Sequence, residues 1–285
     1  MTYSLAWFDI QLQLPREWEV VRYSTNPKQG SFSFATRNGW EANWSWRQCD
    51  REPDLERTLF ETQKRSIEIT DKLLAKSLTR VKTQRAGIAT FAYHNSNFPA
   101  QAAFWIESKK KLHHITFPNY DPVKLDQIWR PFLKTISPNI GERRLWALFG
   151  TAITLPESFV PSEVSPLPAA VSIRYETPKH HQITVYRWGL PKWRLAAMNE
   201  SEFLRLVLLK TNAKVDDIVP ERMNGHKGAF ATFTRRGQYG FERMVGRWWN
   251  GQAWLWHNAD EQRIYAVEET GPKRVERLNR EGIFS

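Results

Sequence analysis

The most concentrated chemistry in this sequence is cationic and lies in four short clusters. They are Lys109-Lys110-Lys111, Arg143-Arg144, Lys179-His180-His181 and Arg235-Arg236. The first, third and fourth clusters fall at turns that the strand pattern predicts, so we expect solvated side chains there. Cations on such loops could neutralise the phosphates of a nucleic acid, although charged turns also keep sheet edges soluble. The candidate polyanion-binding residues are Lys109, Lys110, Lys111, Arg143, Arg144, Lys179, Arg235 and Arg236.

A second chemical feature is the pairing of tryptophan with arginine. The chain has 14 tryptophans, and some adjoin arginine, in Arg187-Trp188, Trp193-Arg194 and Arg247-Trp248-Trp249. Both residue types anchor protein interfaces and stack on bases when they are exposed. Trp248 and Trp249 are neighbours on a predicted strand, so one of them should be exposed or covered by a partner. The candidate partner-binding residues are Arg247, Trp248, Trp249, Trp188 and Trp193.

Residue patterns for catalysis or metal binding are missing from the sequence. The doublets His113-His114 and His180-His181 would point to opposite faces of a strand, so neither could hold one metal ion. Cys49 is the single cysteine and has no recognisable flanking signature. None of the common phosphate-loop, dinucleotide, hydrolase or metalloprotease motifs occurs. We therefore expect no enzyme activity, no cofactor and no metal.

Composition sets the broad class of the protein. The 285 residues are 25% charged and 41% hydrophobic, which excludes both a disordered chain and a miniprotein. Lys and Arg number 41 against 30 Asp and Glu, and the net charge of +11 favours anionic partners. The first residues lack the basic and apolar regions of a secretory signal, and no apolar run approaches the roughly 18 residues of a membrane span. A cytoplasmic protein is the expectation.

The chain repeats its own order of signals, which determines how these residues are positioned. Alternating apolar residues run into Pro15 in the first half and into Pro156 in the second. A predicted hairpin follows in each half, 31–36 with 40–46 and 171–175 with 182–188.

Amphipathic helices are predicted at 54–69 and 201–211, and a closing helix at 121–136 in the first half alone. Each half then continues with a glycine-led strand, in which Ala89-Thr90-Phe91 matches Ala231-Thr232-Phe233. Strands at 101–107 and 112–117 match strands at 247–257 and 263–269, and Asn250-Gly251 predicts an extra turn in the second half. The identical Ala-Thr-Phe stretches argue for common ancestry of the two halves.

The succession of elements resembles the PsbP-like fold, a group that includes the DcrB-like proteins. The resemblance is carried by Leu12-Gln13-Leu14-Pro15-Arg16-Glu17-Trp18, Trp44-Ser45-Trp46 and Ala86-Gly87-Ile88-Ala89. It implies an α+β protein with two related antiparallel sheets, each with a packed helix, that arose by internal duplication. Residues 1–141 would form the N-terminal copy and residues 142–285 the divergent C-terminal copy. The resemblance also implies binding and assembly rather than catalysis.

Two functions of different class follow from the sequence. The first is a non-catalytic binding or assembly subunit that presents basic loops and exposed aromatics to a protein partner in a larger complex. The alternative is a nucleic-acid-binding accessory protein that uses the basic turns.

Overall fold

The computed structural model describes residues 2–66, 79–85, 88–95, 98–117, 121–223, 225–237 and 248–272. The chain divides into two compact units, Met1–Leu148 and Phe149–Ser285, called here the first and second units. The described residues are mostly β, with antiparallel sheets and few short helices. The expected antiparallel sheets are therefore present, whereas helices are fewer and shorter than the α+β class implies.

The first unit contributes eleven strands among the described residues. They are β1 (Thr2–Trp7), β2 (Ile10–Pro15), β3 (Glu19–Arg22), β4 (Gln29–Thr36), β5 (Gly39–Gln48), β6 (Thr79–Arg85), β7 (Ile88–Asn95), β8 (Phe98–Ile106), β9 (Lys111–Phe117), β10 (Ser137–Pro138) and β11 (Arg143–Leu148). Its helices are α1 (Leu55–Ser66) and a composite helix α2, formed by Pro122–Lys124, the π-helical Leu125–Trp129 and Arg130–Thr135. A 3-10 turn, Glu107–Lys109, joins β8 to β9.

The second unit contributes eight strands and two helices within the described part of the chain. The strands are β12 (Thr151–Pro156), β13 (Val160–Leu167), β14 (Ala170–Glu176), β15 (Gln182–Trp188), β16 (Lys214–Met223), β17 (His226–Arg236), β18 (Trp248–Asn258) and β19 (Arg263–Gly271). The helices are α3 (Pro191–Arg194) and α4 (Glu200–Lys210).

The main sheets of the two units have the same topology. The first unit orders its seven strands β3-β4-β5-β9-β8-β7-β6, and the second orders its own β13-β14-β15-β19-β18-β17-β16. The matched Ala-Thr-Phe stretches fall on β7 and β17, which hold the same place in these orders. The repeated sequence signals therefore correspond to repeated strand positions.

Each main sheet has a helix on one face. In the first unit Leu55 and Leu59 of α1 pack on Ala103, Trp105 and Leu112. In the second unit α4 buries its apolar stripe on the strands around β18, with the buried set Phe203, Leu204, Val207, Leu208, Ala253, Leu255, Ile264 and Ala266. Burial of these apolar faces is the main stabilising contribution to each unit.

The opposite face of each main sheet packs against the proline-ended strand or the residues that follow it. In the first unit the Trp18 ring lies 5.8 Å from Phe34 and 5.3 Å from Phe132, measured between ring centroids. In the second unit β12 contacts β15, and the Phe159 ring lies 5.2 Å from that of His181. The aromatic that follows each proline thus serves as a core residue in both units.

One sequence prediction about local structure is wrong, and another lies partly outside the described residues. The turn predicted at Asn250-Gly251 does not form, because β18 runs unbroken from Trp248 to Asn258. Gly251 is needed for packing instead, since a Cβ there would lie 2.3 Å from the Phe233 ring. The predicted continuation of α1 through 67–69 lies outside the described residues.

Candidate functional site

Helix α4 of the second unit leaves part of its sheet uncovered. The helix begins at a capping box, in which the Glu202 amide donates to Asn199 Oδ1 at 3.0 Å and the Asn199 amide donates to Glu202 Oε2 at 2.8 Å. Its apolar side packs on the strands from β15 to β16 in the order of the sheet. Strands β13 and β14, at the edge of the same sheet, extend beyond the helix. A groove results along the side of α4.

The groove is small and apolar, with a volume of about 210 Å³. The Tyr186 and Trp188 rings stack at 5.2 Å on its floor, and the Phe203 ring meets Trp188 edge-on at 5.3 Å. The lining residues are Ser165, Leu167, Ala170, Val171, Ser172, Tyr186, Trp188, Arg194, Phe203, Leu206, Val207, Lys210 and Thr211. Small residues beside aromatic and aliphatic ones in this lining create space suited to inserted apolar side chains.

Exposed apolar residues accompany this groove. Leu167 is 61% exposed and Leu206 is 37% exposed, and both line it. Trp193 is 82% exposed on the short helix α3, next to the lining residue Arg194. The Arg194 guanidinium joins α3 to the β13–β14 turn, because its Nη2 donates to the Ala169 carbonyl at 3.2 Å. Its Nε donates to the Gly189 carbonyl, between β15 and α3, at 3.0 Å. Large exposed apolar side chains beside a groove are typical of interaction sites.

The first unit has a cleft at the corresponding place, beside α1 and over its first strands. The cleft has a volume of about 670 Å³ and a mostly polar lining: Ser24, Asn26, Gln29, Gly30, Ser45, Trp46, Arg47, Thr58, Glu61, Leu112 and His114. Burial and the nearby Arg47 charge lower the pKa of His114 to about 4. Its Nε2 lies 2.9 Å from Gln101 Oε1. The imidazole in this cleft is therefore neutral at physiological pH.

The tryptophans that were predicted to bind a partner differ in their exposure to solvent. Trp193 is exposed, and Trp248 is 49% exposed with the Arg236 guanidinium 5.7 Å above its ring. Trp249 is buried, which corrects the expectation that it meets a partner on the surface, whereas Trp188 is buried in the lining of the groove. Alternation along β18 explains why Trp248 is exposed and Trp249 is buried, because neighbouring strand residues point to opposite faces. Arg247 lies outside the described residues.

Two cations of the first unit are buried around one carboxylate. Asp9, in the turn between β1 and β2, forms an ion pair with Lys111 and lies 3.6 Å from Arg144 Nη1. All three residues are buried. The interpretation of Lys111 and Arg144 as polyanion-binding residues is therefore wrong, since a buried cation that faces a carboxylate cannot also meet a phosphate.

Arg235 of the second unit is buried in the same manner. Its Nη1 lies 2.6 Å from Glu268 Oε1, and its Nη2 donates to Thr211 Oγ1 at the end of α4. This prediction is also wrong, because the guanidinium joins the helix end to the sheet. The remaining predicted cations are half-buried or exposed: Lys109, Lys110, Arg143, Lys179 and Arg236.

The histidine doublets do not converge on a metal. His113 stacks on Phe104 at 5.0 Å, and its Nδ1 accepts a hydrogen bond from Trp44 Nε1 at 3.2 Å. His181 Nε2 lies 2.7 Å from Glu269 Oε1, which is buried. Within the described residues no group of three or more His, Cys, Asp and Glu could hold a metal ion. In that same part of the chain, no helix is both long and apolar enough to cross a membrane.

Comparisons with known proteins give only distant structural likenesses. A chain in the crystal structure of a Tle4–Tli4 complex matches with a TM-score of 0.32 and 10% identity, over 98% of this chain and 89% of that one. The immunity protein TplEi of the T6SS from Pseudomonas aeruginosa, complexed with "L" peptide, matches with a TM-score of 0.29 and 9% identity, over 96% and 88%. Its apo structure matches with a TM-score of 0.29 and 10% identity, over 96% and 91%. The chain matches no family model and no curated protein. We draw no functional conclusion from TM-scores this low.

Proposed function

We propose that this chain is a non-catalytic binding or assembly subunit that receives a protein partner in the groove of its second unit. The observation that carries the proposal is the groove itself, with Leu167, Leu206 and Trp193 exposed at or beside an apolar lining. Exposed tryptophan and leucine next to a concave surface can bury their area only when a partner covers them. The proposed role needs contact surface and no chemical step.

The two units, we infer, descend from one ancestral unit. Their common strand order and the matching Ala-Thr-Phe stretches on β7 and β17 support this origin. The resemblance to the PsbP-like fold and the cytoplasmic location stay predictions. Fractionation of the native cells tests the location.

Nucleic-acid binding is the alternative hypothesis, and the structure supports it less well than it supports protein binding. Three of the cations that it requires, Lys111, Arg144 and Arg235, are buried beside carboxylates. The remaining basic residues lie on separate turns and strands.

The test is affinity purification from the native source with a matched pair of variants, followed by mass spectrometry. Leu206→Asp places a charge in the groove, whereas Leu209→Asp places the same charge on α4 at a residue that is 55% exposed and outside the groove. We expect Leu206→Asp to lose a protein that the native chain and Leu209→Asp both retain. Retention by both variants would refute the groove as the binding site, and loss of the protein on nuclease treatment would favour nucleic acid.

A further inference from the structure

The charges around the groove indicate which partner it fits. Among its thirteen described lining residues, Arg194 and Lys210 are cations and none is a carboxylate. Two carboxylates on the same face of the sheet already have cationic partners: Glu163 lies 2.6 Å from Arg174, and Glu268 lies 2.6 Å from Arg235. The positive charge at the groove is therefore not cancelled by these neighbours.

Lys210 is the cation with most freedom to meet a partner. It is exposed in the last turn of α4 and forms no ion pair with any residue that the structure describes. Arg194 is more constrained, because two of its nitrogens already donate to carbonyl oxygens. A carboxylate of the partner would meet Lys210 at the rim of the groove, next to Leu206.

The size of the groove favours side chains of a polypeptide over a free small molecule. Sites for drug-sized molecules usually measure roughly 300–1,000 Å³, and this groove measures about 210 Å³. Its floor contains the small residues Ser165, Ala170 and Ser172, which leave depth for one or two apolar side chains.

The edge of the sheet argues against binding by strand addition. Edge strand β13 contains Pro161 and Pro166, neither of which has an amide N–H to donate, and its register shifts between Pro161 and Glu163. Proline and irregular register are common protections of an edge strand. A partner segment is thus expected on the face of the sheet, beside α4.

We propose that the groove binds an acidic segment of a partner protein, with apolar side chains inserted against Leu206 and Trp188 and a carboxylate paired with Lys210. This inference rests on the proposed function and specifies the chemistry of the partner.

The test uses two fluorescein-labelled peptides with identical leucines, one with glutamates and the other with lysines at the intervening positions. Fluorescence anisotropy against the full chain should show the glutamate peptide binding about tenfold more tightly, and higher salt should reduce the difference. Lys210→Glu should reverse the preference. Arg205→Glu is the matched control, because Arg205 is exposed on the same helix but outside the groove lining.

Equal binding of the two peptides, or a preference for the lysine peptide, would overturn the inference. If neither peptide binds while Leu206→Asp still loses the captured protein, the acidic segment is refuted and the proposed function stands. If Leu206→Asp retains the captured protein, the proposed function itself fails, whatever the peptides do. Circular dichroism of each variant establishes that it is folded before binding is measured.

Discussion

The two concave sites occupy equivalent positions in the two units, yet their chemistry is opposite. Ser45 and Arg47 lie on β5, and Tyr186 and Trp188 lie on β15, which holds the same place in the order of its sheet. The first pair lies in a polar cleft, and the second forms the aromatic floor of an apolar groove. The same arrangement of strands and helix therefore forms a polar surface in one unit and an apolar surface in the other. The side chains that line each site determine which surface forms.

The turns that precede β2 and β12 also differ in their buried charges. Phe8 and Phe149 share a positive φ, 50° and 52°. The next residue is Asp9 in the first unit, which faces two buried cations, and Gly150 in the second, which lies close to Arg187. The second unit has its buried ion pair elsewhere, between Arg235 and Glu268. The two turns share their backbone geometry, whereas the buried ion pairs lie at different positions in the two units.

The largest effect is expected from removing the charge of Asp9. Asp9→Asn removes the charge that faces the buried Lys111 and Arg144, and breaking a buried pair from one side typically costs about 3–5 kcal/mol. Urea unfolding measures the change in free energy. Glu163→Gln breaks the more exposed pair with Arg174 and should cost below about 1 kcal/mol. A similar loss in both variants would mean that burial does not decide the cost.

The next prediction compares the paired sites directly. Trp188→Ala removes a buried aromatic and should cost about 3–5 kcal/mol of unfolding free energy. Arg47→Ala, at an exposed position of the equivalent strand β5, should change it by less than about 0.5 kcal/mol. The same unfolding experiment measures both variants. Equal losses would show that the polar cleft is as tightly packed as the apolar floor.

Acidification should weaken the first unit through its histidines. The pKa of His114 falls from 6.5 to about 4 on folding, and burial with the Lys111 charge lowers that of His113 well below 6.5. Between pH 6.5 and about 4 the unfolded chain binds more protons than the folded chain, so the free energy of unfolding falls as the pH drops through this range. For His114 the total loss is about 3 kcal/mol. Unfolding of the native chain and His114→Asn at about pH 7 and about pH 5 measures it; an unchanged pH dependence in the variant would contradict this assignment.

The smallest effect on stability is expected at Trp193. The side chain is 82% exposed, so Trp193→Ala should change the unfolding free energy by less than about 0.5 kcal/mol. Partner affinity should fall by about tenfold, since exposed tryptophans beside a groove commonly carry binding energy. Isothermal titration with the captured partner measures the affinity. Unchanged affinity would restrict the binding site to the groove itself.

Local patterns predicted the strands well because period two and proline are properties of a single segment. The proline-ended strands and the hairpins were visible in the sequence. The buried cations were not, since Lys111 meets a carboxylate 102 residues away in the chain. A basic triplet at a turn gives no sign of such a partner.

The groove was also beyond sequence reasoning, because β13–β15, α3 and α4 each contribute part of it. Trp193 was predicted as a contact residue, and its high exposure agrees with such a role. The signal that could have pointed to the groove is in α4, where Leu206 and Leu209 extend apolar residues beyond the buried stripe.

Site-specific photo-crosslinking tests the central claim most directly. A photoreactive residue is placed at Leu206 in the apolar groove of the second unit or at Ser45 in the polar cleft of the first unit. We predict a crosslink to the partner protein from position 206 and none from position 45. A crosslink from position 45 alone, or equal crosslinks from both positions, would contradict binding through the second unit's groove.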